Sequence, residues 1–148
     1  MEISIENIKN EANILSKFNC DNIVKYYDSD LVKDKFYILM EYCDGQNLRD
    51  FINKNNNELI EENILYNIIK KICLGIKEIH GKNIIHRDLK PENIFINDNM
   101  NIKIGDFGIS KQSNNTYALT TKKVASINYA SPEILKKEYI MKNRIYIH

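Results

Sequence analysis

At 148 residues, 43% of them apolar, with a formal net charge of +1, the chain is of one-domain size and gives no electrostatic case for nucleic acid or an acidic membrane as main partner. Cys20, Cys43 and Cys73 are widely spaced and form no C-x-x-C pair, which argues against a disulfide frame or zinc site and for reduced thiols. No apolar run approaches the roughly 18 residues of a membrane span, and Glu2, Ser4 and Glu6 follow Met1 where a secretory signal would be basic and then apolar, so a cytoplasmic or nuclear protein is expected.

Ile5, Ile8, Ala12, Leu15 and Phe18 fall at three- and four-residue steps and predict one helix over residues 5 to 18. The runs Asn22–Tyr27 and Phe36–Met40 are β-branched and aromatic, and the polar Lys33-Asp34-Lys35 between them predicts two strands joined by a turn. Asp44-Gly45 breaks the pattern before a short helix from Asn47 to Ile52. Ile64, Leu65, Ile68, Ile69, Ile72, Cys73, Ile76 and Ile79 then predict a long helix with a wide apolar face, stopped near Gly81. Ile84-Ile85, Ile94–Ile96 and Ile102–Ile104 are short strand candidates, the last two joined through Asn97-Asp98-Asn99. Residues 111 to 123 are polar and aperiodic and predict a mobile loop, and Pro132 could open a last short helix through Leu135.

Two motifs stand out of this frame: His86-Arg87-Asp88-Leu89-Lys90-Pro91-Glu92-Asn93, and Asp106-Phe107-Gly108 beyond the 94–104 hairpin. Singly, each of these residues would be ordinary. In this order and spacing they are the catalytic-loop and magnesium-loop pattern of protein kinases, and the chain resembles a eukaryotic-type serine/threonine protein kinase. The resemblance implies ATP and Mg2+ as cofactors and a protein serine or threonine as acceptor. It makes Asp88 the residue that takes the hydroxyl proton, Lys90 the point charge on the transferred phosphate, and Asn93 and Asp106 the magnesium ligands. Lys90 in this position is similar to the serine/threonine branch rather than the tyrosine branch.

The resemblance extends outward. Glu11 matches the glutamate of the αC helix, and Ile38–Cys43 resembles the strand that enters the hinge. Met40 would then be the gatekeeper, backbone groups of Glu41 and Cys43 would meet adenine, and Phe95 would be the floor beneath it. Leu15, His86 and Phe107 match members of the apolar stack that links the lobes. Ser126 matches the threonine that contacts the catalytic base, and Glu133, in Ser131-Pro132-Glu133, the glutamate that closes the activation segment. Arg87 implies control by a phosphate on that segment, with Thr120, Thr121 and Thr116 as candidate phosphosites. Short stretches resemble first the kinases of the alpha subunit of translation initiation factor 2, and second the NIMA-related kinases.

Four departures qualify what the resemblance implies. No glycine precedes Gly45, so a Gly-rich phosphate loop is not in this sequence. The only lysine before Glu11 is Lys9, too close to be its ion-pair partner. Val124-Ala125-Ser126 stands for Val-Gly-Thr, and Arg144 stands where the family carries an aspartate. The expected fold is therefore an α+β, incomplete kinase-like bilobal fold from αC to the start of αF, without the first three N-lobe strands and the late C-lobe helices. Residues 1–43 are expected to be the N-lobe remnant and 44–148 the partial C-lobe. Phosphoryl transfer, weak or absent in this chain alone, is the leading expectation; a kinase-derived non-catalytic binding or regulatory module, or an incomplete gene model, is the alternative.

Overall fold

The computed structural model describes residues 5–55, 59–97, 99–112, 117–119, 129 and 139–141. In chain order these form helix α1 (Ile5–Leu15), strands β1 (Tyr26–Val32), β2 (Lys35–Met40) and β3 (Gln46–Asn47), and helices α2 (Leu48–Lys54) and α3 (Glu62–Gly81). Strand β4 (Ile84–Ile85), a 3₁₀ turn (Pro91–Asn93), and strands β5 (Ile94–Ile96), β6 (Ile102–Ile104), β7 (Lys111–Gln112), β8 (Tyr117–Leu119) and β9 (Tyr139–Met141) follow. The described part is thus mixed α and β, as the resemblance implied.

Helix α1 ends earlier than its apolar stripe. Ser16, Lys17 and Phe18 donate their N–H groups to Ala12, Ile14 and Leu15 as the last turn tightens, and Phe18 swings into the core instead of extending the helix. The next apolar residues also depart from expectation. Ile23 and Val24 do not belong to β1. Asn22 O accepts from Ile104 N at 2.9 Å and Val24 N donates to Ile104 O at 3.0 Å, so this linker runs as a partial strand along β6. The β1–β2 hairpin begins later, at Tyr26, and turns at Lys33 and Asp34, whose φ values of 47° and 63° suit the two-residue primed turns that match strand twist.

Strands β3, β5 and β6 make one antiparallel sheet, with Ile94 opposite Ile104 and Ile96 opposite Ile102. Helix α2 is capped by Asn47, which accepts from Asp50 N at 2.9 Å and donates back to the Asp50 carboxylate at 2.7 Å. Gly45 is required just before it: a Cβ there would stand 1.8 Å from the Ile96 carbonyl oxygen. The loop expected over residues 111 to 123 is corrected in two places. Lys111–Gln112 pairs with β4, and Tyr117–Leu119 pairs with Tyr139–Met141. Strands this short leave no hydrophobic alternation to read.

Two apolar clusters carry the packing. One joins Ile14, Leu15 and Phe18 to Ile23, Ile79, Ile84, Ile104 and Phe107. The other joins Ile68 to Ile94, Ile96 and Ile102. Leu89 touches both, so the loop that holds Asp88 is anchored between them. The wide face expected on α3 divides. Ile68 and Ile79 are buried, whereas Leu65, Ile69 and Leu74 are each nearly half exposed.

Gly75 lies where α3 meets the linker and β6. A Cβ there would lie 2.8 Å from Ile104 Cδ1 and 2.9 Å from the Asn22 carbonyl, which is already bonded to Ile104 N. Helix propensity alone would favour Gly75→Ala by about 1 kcal/mol. Overpacking against a fixed backbone atom costs roughly 1–3 kcal/mol, so Gly75→Ala is expected to lower the midpoint of urea unfolding. A raised midpoint would mean that the linker yields freely.

Candidate active site

The catalytic-loop residues are drawn together by short-range bonds. The 3₁₀ turn starts at Pro91, whose lack of an N–H costs nothing in a first turn, and Asn93 N donates to Lys90 O at 3.0 Å. The Asn93 side-chain amide spends both hydrogens on Asp88, at 2.9 Å to its carbonyl and 3.0 Å to Oδ2. Lys90 Nζ meets the same Oδ2 at 2.9 Å, and that bond holds the ammonium above its ordinary pKa. Asp88 is almost fully buried, and its Oδ1 has no hydrogen-bond partner among the described residues. One carboxylate oxygen is therefore committed to positioning and the other is an unused acceptor. The Asn93 Oδ1 is left as an oxygen that could ligate a cation.

Asp106 is brought alongside by the β5–β6 hairpin, because Gly105 N donates to Asn93 O at 3.0 Å directly after β6. Asp106 is exposed and has φ 60°, a left-handed conformation that aspartate tolerates; Arg87 has φ 70°, which for arginine costs about 1–2 kcal/mol. Strained backbone of this kind tends to collect at functional sites, and nothing in the residue types announced it. Burial holds the Arg87 guanidinium below its usual range.

His86 and Phe107 support this loop from below. His86 Nε2 lies 3.0 Å from Gly105 O, and a carbonyl can only accept, so Nε2 carries the proton. Nδ1 then accepts from Asp88 N at 3.3 Å. Both nitrogens of a neutral imidazole are used, and burial accordingly pushes the His86 pKa down. The His86 and Phe107 rings are 4.7 Å apart, Phe18 lies 5.3 Å from Phe107, and Leu15 belongs to the same cluster. Tyr26, which the sequence did not single out, packs against it too. Ser110 was also missed: its Oγ donates to His86 O at 2.9 Å, and only its place just after Asp106–Gly108 could have signalled it.

A lowered histidine pKa has a direct consequence for stability. Above about pH 6.5, the unfolded imidazole is neutral as well and the contribution is flat. Below that, the unfolded state takes up the proton and the folded state resists it, so stability falls as the pH drops. Urea midpoints between pH 7.5 and 5.5 are expected to decline, and His86→Gln, though less stable throughout, should show a shallower slope. Equal slopes would remove His86 as the cause.

A cleft of about 500 Å³ lies above the site, lined by Glu11 and Leu15 of α1, the run Met40–Cys43, Phe95, and Gly105 with Asp106. Glu41 is pinned from several sides: its carboxylate pairs with Lys103 at 2.9 Å and accepts from Lys25 N at 3.1 Å, while its own N–H donates to Lys25 O. Burial, with the Glu41 charge behind it, raises the Cys43 pKa and keeps this thiol protonated. Glu11 is raised as well, first by burial and then by the nearby Asp106, against a lowering hydrogen bond from the Phe107 backbone. No cation pairs with Glu11 among the described residues, in keeping with the lysine that the sequence lacks.

Ser126, Glu133, Thr116, Thr120, Thr121 and Arg144, and the short helix expected from Pro132, lie outside the described residues. Among the described residues no group of three or more His, Cys, Asp or Glu side chains could hold a metal by itself. Magnesium, which usually takes one or two carboxylates with phosphate and water oxygens, does not need such a group. Nor, among the described residues, is any helix long and apolar enough to cross a membrane.

Comparison with known proteins agrees with the motif. The chain is 42% identical over 132 residues to the probable serine/threonine-protein kinase nek2 of Dictyostelium discoideum, covering 84% of this chain and 31% of that protein. It is 39% identical over 140 residues to the human serine/threonine-protein kinase Nek5, covering 93% of this chain and 20% of that one. With the mouse serine/threonine-protein kinase Nek2 it shares 34% over 141 residues, 89% of this chain and 32% of the relative. The chain thus spans about a third or less of the length of these relatives, and they side with the NIMA-related resemblance over the initiation-factor kinases. The model of the protein kinase domain matches residues 1–145, and the chain belongs to the protein kinase domain family.

Proposed function

We propose that the chain carries the catalytic part of a serine/threonine protein kinase, which transfers the terminal phosphoryl group of ATP to a protein hydroxyl. The single observation that carries this reading is the division of labour on Asp88. Oδ2 is held by Lys90 and Asn93, and the buried Oδ1 is left without a hydrogen-bond partner among the described residues, an acceptor for the proton of a hydroxyl once the loop admits one. Magnesium, when bound, offsets the phosphate charge. Asn93 Oδ1 and the Asp106 carboxylate are the hard oxygens placed to hold it.

Residues 1–43 and 44–148 act as the two lobes in this reading. Phe95 lies in the cleft lining as a floor for adenine, Met40 as gatekeeper, and the Glu41 and Cys43 backbone as its edge contacts. Lys90 beside Asp88 suits a serine or threonine acceptor, and Arg87 would answer a phosphate on Thr120, Thr121 or Thr116. Turnover by the 148 residues alone is expected to be slow, because Glu11 faces Asp106 across the cleft with no cation between them among the described residues.

Titration with ATP in the presence and absence of Mg2+ tests the reading. Binding is expected to require Mg2+ for full strength, and Asp106→Ala should weaken the Mg2+-dependent part by about tenfold or more. No binding at millimolar ATP, or binding indifferent to Asp106, would leave only ancestry.

A further inference from the structure

Ser110 joins three elements that lie far apart in sequence, and the chemistry proposed for Asp88 gives it no part. Its N–H donates to Phe107 O at 2.9 Å, its carbonyl accepts from Asn10 Nδ2 of α1 at 3.1 Å, and its Oγ donates to His86 O at 2.9 Å. Ser110 is almost fully buried. The β4–β7 register explains the last of these contacts. Ile84 faces Gln112 and Ile85 faces Lys111, so the next step sets His86 opposite Ser110. The chain turns there: the Ser110 N–H is committed to Phe107, and the hydroxyl makes the bond across to His86.

His86 O and Asp88 N flank Arg87. The carbonyl belongs to the peptide plane before Arg87 and the N–H to the plane after it. Ser110 Oγ holds the first, and His86 Nδ1, at 3.3 Å, holds the second. Arg87 has φ 70°, a conformation that a long side chain keeps only where its surroundings over-determine it. Fixing the planes on both sides of one residue fixes the rotation between them, and with it the direction in which the chain enters Asp88. An extended or helical Arg87 would swing Asp88 away from Lys90 and Asn93, which now grip its Oδ2. A buried hydroxyl needs an acceptor somewhere; this one has taken the carbonyl that borders the strained residue.

We infer that Ser110 is a positioning residue for phosphoryl transfer: its hydroxyl, bonded to the His86 carbonyl, holds Arg87 in the left-handed conformation and so sets Asp88 where it can act as base. The inference rests on the proposed role of Asp88, and one arm of its test is therefore read without turnover. The full-length protein carrying this sequence is compared with Ser110→Ala, with Arg87→Gly and with the double variant. Glycine adopts φ 70° at no steric cost, so in the Arg87→Gly background the hydroxyl has no strain left to hold.

In single-turnover transfer to a serine peptide, Ser110→Ala is expected to lower the rate by about five- to tenfold, the scale of one hydrogen bond to a buried group, with MgATP affinity changed by less than about twofold. Added to Arg87→Gly, the same substitution should cost less than about twofold further. Amide hydrogen exchange, measured without nucleotide, should show Asp88 N–H exchanging about five- to tenfold faster in Ser110→Ala, while Ile104 N–H, bonded to Asn22 O, keeps its rate. A hydroxyl that served stability alone would speed both amides together and leave the transfer rate of the folded protein as it was. Equal acceleration of the two amides, an unchanged Asp88 amide, an unchanged transfer rate, or the same loss in the Arg87→Gly background overturns the inference. If the Asp88 amide alone is loosened and Arg87→Gly removes that effect while wild type transfers no phosphate, the hold of Ser110 on Asp88 stands and the phosphotransfer reading falls.

Discussion

Asp88→Asn is expected to lower the rate of phosphate transfer to a serine peptide by about 10²- to 10⁴-fold, the range for losing a positioned general base. The substitution is nearly isosteric, so the packing of Leu89 between the two apolar clusters and the 3₁₀ turn should persist. What is lost is the negative charge that Lys90 and the Asn93 amide now hold in place, and the acceptor strength of the sealed Oδ1. Binding of MgATP should change little, because the candidate ligands Asn93 Oδ1 and Asp106 remain. Single-turnover transfer in the full-length protein, followed with labelled ATP, separates the two quantities. A transfer rate within threefold of wild type would show that Asp88 is not the base.

Phe107→Ala is expected to cost about 3–5 kcal/mol of folding stability, as for other large-to-small changes of buried aromatic residues. Phe107 is fully buried, tilted against both Phe18 and His86, and shares a cluster with Leu15. Its removal would open a cavity where α1, the catalytic loop and the segment after β6 meet. Against a typical total of roughly 5–15 kcal/mol, that loss is large enough to unfold a marginal domain. Phe107→Leu, which keeps most of the volume, should cost under about 1.5 kcal/mol. Urea unfolding measures both. A loss below about 1 kcal/mol in the alanine variant would mean that the cavity collapses and that the ring is not the keystone of the cluster.

The candidate site was legible in the chain because its motif consists of residue types at fixed short spacings. Asp88, Lys90 and Asn93 lie within one loop and one 3₁₀ turn, so local bonds of a few residues' reach assemble them. The Ile94–Ile104 hairpin could be read from its alternation and its asparagine turn, and it delivers Asp106 by the same local logic. The long helix α3 declared itself through its period, although not which half of its wide apolar face would be covered.

What tertiary structure alone decided involves partners far apart in sequence. Ile23 and Val24 read as the start of a strand, but Ile104 offers them backbone bonds that β2 cannot. Phe18 fits the helical stripe, yet the space beside Phe107 is worth more than another turn. No pattern could announce that Lys111–Gln112 pairs with β4, or that Arg49, Glu92 and Tyr129 converge. Periodicity reports which face of an element is apolar; it carries no term for which other element will meet that face. The sequence by itself therefore determined the family and the candidate reacting groups, whose short-range bonds leave Asp88 Oδ1 unused, while long-range packing decided which elements meet around them.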